Sequence, residues 1–393
     1  MADILKRASE RATEFRHELH MHPELPWHEV ETTKKIAAKM EELGIPVIFK
    51  GFAGTECGLV AEIKGALPGP VLMVRADIDA LPVTENADLP YCSLNSGVMH
   101  ACGHDAHTAI LTGVAQVLKE RQDEIRGTVR LLFQPAEESG TSSGAPAVIA
   151  DGALDGVDAI IGEHVQSQQK AGTIGWIKGA MQASADTLDI VIRGKGGHGS
   201  SPHTAVNPIL CASAVVQAIT AIAPQEVSAL EPIVIGIGSI HSGSARNVIP
   251  DECAISGTIR CSDMATRRAT EDRIRRVVQG TASAWRCTAE IDYQCVYPVT
   301  VNDPGLTQWI IDAATAEGLG DRLLELEFMM GSEDFSYYGQ KIPAAYITLG
   351  MGTDNPHHSP GFRVDDAVIP LGVRLMSALA LDYGRTHAGS RSA

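Results

Sequence analysis

Hydrophobic and polar positions along this chain follow two rhythms in alternation. From about residue 3 to 43 apolar residues recur at helical spacing, broken at Pro23 and Pro26 and stopped at Gly44, which predicts two helices. Beyond them, short apolar runs alternate with amphipathic ones. PVLMVRAD (70–77), GTVRLLFQP (127–135) and VDAIIGEH (157–164) read as buried strands, while HDAHTAILTGVAQVLKE (104–120) carries apolar residues at helical spacing. Strands alternating with helices predict an α/β fold, a mainly parallel sheet flanked by helices.

The middle of the chain has a different order. TLDIVIRG (187–194) alternates like a half-buried strand, and NPILCASAVVQAI (207–219) is helical. PIVIGIGSI (232–240) and ECAISGTIR (252–260) follow as strands, then a helix at 267–285 and a strand at 287–298. This β-α-β-β-α-β order is the split βαβ arrangement of ferredoxin-like folds. It predicts a small α+β domain at 181–294 inserted into a larger α/β domain formed by 1–180 and 295–393. A length of 393 residues suits two domains. The last ten residues, GRTHAGSRSA, are expected to form a loose tail.

Composition narrows the function classes. The net charge of −16 is spread along the chain, which disfavours nucleic acid and anionic membranes as partners. No segment approaches the roughly 20 continuous apolar residues of a membrane span, and the charged N-terminus lacks a secretory apolar core. Eight cysteines lie scattered without a framework, so reduced thiols and a cytoplasmic location are expected.

Candidate chemistry gathers where strands end. RADIDALP (75–82), HACGHDAH (100–107), QPAEE (134–138), GEH (162–164) and NPHHSPGF (355–362) are polar clusters at or beyond strand-like runs. In open α/β sheets ligands bind outside the carboxyl ends of the strands, so the fold should collect these clusters at one edge. Their Asp, Cys, His and Glu side chains form a ligand set for zinc and related divalent metals. Cys102 has three readings: a nucleophile activated by histidine, an inert core thiol, or a metal-bound thiolate. Nearby histidines and carboxylates favour the last, and the other seven cysteines read as structural. Glu137 and Glu138 sit in a turn and point in different directions, so one could bind metal while the other serves as general base. The bland alternative is an acidic pair at a helix N-terminus.

These residues resemble the M20 metallopeptidase and amidohydrolase family, in the branch of hippurate hydrolases, aminoacylases, auxin-conjugate hydrolases and N-acetyldiaminopimelate deacetylase. The resemblance rests on HELHMHPEL (17–25), RADIDALP, MHACGHDAH, LLFQPAEE, GKGGHGSSPH (194–203), NPI (207–209), RNVIP (246–250), GSEDFSYY (331–338) and HHSPGF, in family order along nearly the whole chain. It implies a catalytic domain with two divalent metal ions (Zn, Mn, Co or Ni) and an inserted lid domain through which subunits form a homodimer or higher homo-oligomer. By carry-over the metal ligands are Cys102, His104, Glu138, His164 and His358, with Cys102 bridging the ions. His358 is preferred to His357 because the family ligand directly precedes Ser-Pro. Glu137 takes the place of the general base, and Asp79 that of the aspartate that orients a ligand. Asp77 falls where the wider family has a liganding histidine and is expected to support the ligands instead. His198 is implied at the substrate carbonyl, with Asn247 and Arg246 as substrate contacts, while Arg260 reads either as a receptor for a substrate carboxylate or as half of a plain surface ion pair. The implied reaction is hydrolysis of the amide bond of small N-acyl amino acids. The alternatives are a metal carboxypeptidase or dipeptidase, and a non-catalytic binding protein of the same fold. One departure touches the pocket: where the branch carries H-V-x-P, this chain reads His164-Val165-Gln166-Ser167-Gln168-Gln169.

Overall fold

Apolar runs that leave no polar face must sit in the middle of a sheet, and the computed structural model, which describes residues 1–86 and 88–387, puts them there. An eight-stranded sheet runs in the order Val47–Lys50, Leu59–Lys64, Arg126–Gln134, Leu67–Asp77, Ala159–Gln166, Ala344–Gly350, Ile174–Trp176 and Leu323–Glu325. Its four central strands, from Arg126–Gln134 to Ala344–Gly350, are parallel. Antiparallel joins fall outside that centre, so the sheet is mixed at its margins. Every residue of Ala344–Gly350 is buried.

Parallel pairing fixes where the chemistry emerges. Asp77 stands opposite Gln134, Arg75 opposite Gly162, and Gly350 opposite Gln166, so all four central strands end at the same edge. The helix His104–Glu120 starts at that edge and runs back across the sheet, buried from His104 to Leu118. Ala2–Met21 and Val368–Thr386 pack against it. This region belongs to a unit of Met1–Gly179, Val301–Glu327 and Asp334–Ala393. The terminal helix continues to Thr386, so Gly384, Arg385 and Thr386, expected in the tail, are helical because Tyr383 and its neighbours pack into the core. His387 follows as the last described residue, and 388–393 of that expected tail lie outside the described residues.

A second unit comprises Ala180–Thr300 and Phe328–Glu333. Its four-stranded sheet is antiparallel throughout, in the order Ile233–Ser242, Glu252–Cys261, Ala185–Arg193 and Thr288–Tyr297. The helices Pro208–Thr220 and Met264–Ala284 pack on it, giving β-α-β-β-α-β connectivity in the split βαβ topology. Side chains specify both helix starts: Asn207 accepts from Ile209 N–H ahead of Pro208, and Asp263 accepts from Ala265 and Thr266 N–H. Leu188, Ile190 and Ile192 alternate inward against Val215, Ile219 and Val278. All eight cysteines are free thiols. Among the described residues no helix is long and apolar enough to cross a membrane.

The first helix carries charge into the core. Arg16 and His20 are buried, and Asp105 Oδ2 accepts from Arg16 Nε at 3.0 Å and from His20 Nδ1 at 2.9 Å. His20 Nε2 faces Glu85 Oε1 at 3.2 Å. Burial disfavours the charged ring, yet Asp105 and then Glu85 outweigh it and lift His20 to about 9. A pKa raised on folding stabilises the protein fully below the unfolded value near 6.5 and ceases to do so as pH rises through about 9. Chemical denaturation across pH 6 to 9.5 should therefore show wild type losing on the order of 2 kcal/mol that His20→Gln does not lose. Parallel pH profiles for the two proteins would rule this out.

Candidate metal centre

The turn that leads into the helix at HACGHDAH is made possible by glycine. Gly103 has φ 97°, and a Cβ there would lie 2.4 Å from Val165 Cγ2. This left-handed residue lets the chain reverse between Cys102 and His104, so both side chains stand at the sheet edge. Asp79, two residues beyond the strand Leu67–Asp77, ties two parts together: Oδ1 accepts from His104 Nδ1 at 3.1 Å, and Oδ2 accepts from Glu138 N–H at 2.9 Å. With Nδ1 so engaged, His104 presents Nε2, which is buried and has no hydrogen-bond partner. His164 is oriented the same way, with Nδ1 donating to Val165 O at 2.5 Å and Nε2 lying 3.4 Å from Cys102 Sγ. Ring orientation through the far nitrogen is the usual support for a metal-binding histidine.

The Glu137–Glu138 turn is held under backbone constraint. Ala136 adopts φ 56°, a left-handed value costly for a residue with a side chain, and its N–H donates to the buried Glu29 Oε1 at 2.8 Å. His358, a second non-glycine residue at the site with a left-handed backbone (φ 62°), is fixed by its N–H donating to Ala101 O at 2.8 Å. Its ring Nε2 stands 3.0 Å from Glu138 Oε1, with the side chain 53% exposed, so the site meets solvent here.

Two donor triads result. Cys102, His104 and His164 bring their donor atoms within 4.8 Å of one another, and so do Cys102, Glu138 and His358. Cys102 belongs to both. Glu137 joins His104 and Glu138 in a third group of the same span. Thiolate, imidazole and carboxylate with an unpartnered buried Nε2 fit a pair of borderline divalent cations. Electrostatics agree. Burial opposes charge on His104, but Asp77 and Cys102 hold its pKa well above the ordinary value. Hydrogen bonds to Cys102 and Glu138 raise His358 to about 10. His164, by contrast, is held well below by burial and by the His107 and His357 rings, which keeps it a neutral donor. Burial and the Glu138 carboxylate push the Cys102 thiol up, so its ionised form calls for a cation beside it. The cluster as a whole favours positive charge at its centre.

Not every residue in these motifs joins the centre. His107 Nδ1 donates to Asp77 Oδ1 at 2.6 Å and Nε2 accepts from Val165 N–H at 2.9 Å, so both its nitrogens are used. Asp77 is completely buried between His107 and Arg75 Nη1, which donates to its Oδ2 at 2.6 Å. Its oxygens tie the helix residue His107 to the strand residue Arg75. His100 is buried and pushed down to about 4 by desolvation. His357 lies beside Gln166, its Nε2 2.8 Å from Oε1, while His358 is the one that meets Glu138.

His198, Asn247 and Arg260 are in the second unit. The short strand Gly197–His198 pairs with Val248–Ile249, and Gly199 N–H donates to Asn247 O at 2.8 Å, so one ribbon carries both His198 and Asn247. His198 is exposed, its Nδ1 2.8 Å from Ser200 Oγ. Arg260, half-buried, donates from Nη1 to Ile259 O at 3.1 Å instead of to a carboxylate.

Three residues that shape the centre carry no role in the sequence-based reading: Arg75, Gln134 and Asp334. Arg75 makes a buried fork, from Nε to Gln134 Oε1 at 2.9 Å and from Nη2 to Asp334 Oδ1 at 2.9 Å. An arginine inside the apolar run PVLMVRAD was the available signal, because a buried guanidinium requires carboxylate partners.

A centre of this kind at the carboxyl edge of an α/β sheet is that of a metallohydrolase. The chain belongs to peptidase family M20/M25/M40, whose model matches residues 73–382, and it is a hydrolase of that family. It is 39% identical over 382 residues to the N-acetylcysteine deacetylase of Bacillus subtilis, covering 97% of this chain and 98% of that one. To thermostable carboxypeptidase 1 of Saccharolobus solfataricus it is 38% identical over 376 residues, 94% of each. Among solved structures it resembles the YXEP protein of Bacillus subtilis, a dinuclear metal-binding peptidase of the M20 family, with TM-score 0.86, 36% identity, and coverage of 97% and 99%.

Because Cys102 is the donor common to both triads, Cys102→Ala should lower bound zinc or manganese by one ion or more per subunit, read by elemental analysis. Unchanged metal content would remove the thiol from the centre.

Proposed function

We propose that this hydrolase cleaves the amide bond of N-acyl amino acids at a two-cation centre, releasing a free amino acid and a carboxylate. The observation that carries the reading is Cys102 standing in both donor triads with Glu137 beside them. Cys102, His104, Glu138, His164 and His358 would hold the cations, with Cys102 between them. Bound there, the cations supply Lewis-acid polarisation of the carbonyl and a lowered pKa for water.

The protein's own groups carry the protons. Glu137 takes the proton of the attacking water and returns it to the departing amine, one carboxylate acting first as base and then as acid. Its buried position beside Glu138 keeps bulk water from competing for that proton. Asp79 holds His104 and the Glu138 backbone in register, so the donors need no rearrangement when substrate arrives. His198 donates to the carbonyl oxygen as it gains charge, and Asn247, on the same ribbon, contacts the substrate with Arg260 as receptor for its carboxylate. The second unit serves as lid and as the surface for homodimer formation. The B. subtilis deacetylase supports an acyl amino acid substrate. The carboxypeptidase at 38% identity supports a second reading, cleavage of short peptides.

Purified protein reconstituted in turn with zinc, manganese, cobalt and nickel should hydrolyse N-acetyl or N-benzoyl amino acids faster than dipeptides. The reverse order establishes the peptidase reading, and no turnover on any amide with metal restored contradicts both. Glu137→Gln should keep its metal and lose about 1,000-fold or more in kcat, the scale of a general acid–base contribution combined with misplaced water. Retained turnover would dismiss Glu137 as the base.

A further inference from the structure

Beneath the Glu137 turn lies a carboxylate that the reaction does not use. Asp334 is wholly buried, at the start of the 3-10 segment Asp334–Gln340, where the chain returns to the first unit. Its two oxygens accept from three donors. Arg75 Nη2 reaches Oδ1 at 2.9 Å, Gln134 Nε2 reaches Oδ1 at 3.0 Å and Oδ2 at 2.8 Å, and Ala145 N–H reaches Oδ2 at 3.0 Å.

Those partners flank the turn on both sides. Gln134 ends the strand before it and Ala145 lies in the first turn of the helix Gly144–Ala150 after it. The two limbs are in contact, since a Cβ on Gly144 would fall 1.8 Å from Pro135 O, and Gly144 N–H donates to Ala136 O at 3.0 Å. From the same residue, Asp334 N–H donates to Glu137 Oε1 at 3.3 Å. One residue therefore clamps the loop at its base with its side chain and holds the glutamate with its backbone.

We propose that Asp334 is a positioning residue for Glu137, anchored by Arg75, and that it fixes the direction in which the glutamate presents its carboxylate. The inference rests on Glu137 acting as the base. It assigns Asp334, the second of the two acidic residues in GSEDFSYY, to the base and not to the cations. The chemistry favours a charged carboxylate: Arg75, Gln134 and Ala145 all donate to it, so an amide at 334 would set an N–H against another N–H and leave Arg75 short of one counter-charge.

Asp334→Asn should lower kcat by about 10- to 100-fold, the scale of a misplacement near 1 Å, while KM stays within about threefold. Metal content should equal that of wild type. Crystal structures of both proteins should show the Glu137 carboxylate displaced in the variant and Cys102, His104 and His164 unmoved. Unchanged kcat, or a Glu137 carboxylate still in its wild-type place, overturns the proposal. If Asp334→Asn does not fold, Gln134→Met removes the Nε2 donor that reaches both Asp334 oxygens, and an unchanged kcat there is equally fatal. If wild type cleaves no amide, the proposed function fails separately, and the position of the Glu137 carboxylate in the variant still decides the role of Asp334.

Discussion

One buried cation organises the catalytic edge. The Arg75 guanidinium has no solvent exposure and donates to Asp77, Gln134 and Asp334 as well as to the Tyr346 hydroxyl. Through Asp77 it reaches His107 and then the Val165 N–H beside His164. Through Gln134 and Asp334 it reaches both ends of the Glu137 turn. Burial of so many ionised groups is tolerable only while all are paired. Loss of one partner from such a pair typically costs about 3–5 kcal/mol, because the remaining charge stays in a medium that cannot solvate it. The constraint is mutual: the strands must end in register for Arg75 to be satisfied, and that register is what aligns the donors.

Beside this network carboxylates and a thiol gather around the imidazoles. Glu138, the Asp77 and Asp79 carboxylates and an ionisable Cys102 surround the imidazoles of His104 and His358, and both rings are held strongly basic. Backbone geometry works to the same end. Ala136 and His358 both carry positive φ, one before Glu137 and the other within the donor set. Strain of that kind persists where surrounding hydrogen bonds determine it, here from Glu29 and from Ala101. The pattern is that of a preorganised site, in which folding orients the donors before any ligand arrives.

How much of this was legible in the sequence depended on the range of the interaction. Strand runs such as AAYITLG and the helix HDAHTAILTGVAQVLKE could be read because their burial is periodic or continuous, and the structure ends them at Ala344–Gly350 and His104–Glu120. The antiparallel margins of the large sheet were not legible, since pairing direction at an edge depends on loops and on partners distant in sequence. At the centre, the residue types and the strand-end positions of Cys102, His104, Glu137 and His164 pointed to one edge, and the fold gathers them. What spacing could not tell is which nitrogens are committed. His107 looks like a ligand by motif and is excluded by two hydrogen bonds to Asp77 and Val165. The link from Arg75 to Asp334 spans 259 positions, and no local pattern encodes it.

The central claim is that two cations sit at the edge of the sheet and share Cys102. Anomalous diffraction from crystals grown with zinc, recorded on both sides of the metal absorption edge, tests it most directly. The account predicts two peaks, each about 2.3 Å from Cys102 Sγ, one also bonded to His104 or His164 and the other to Glu138 or His358. A single peak away from Cys102, or one bound by His107 and Asp77, would contradict it.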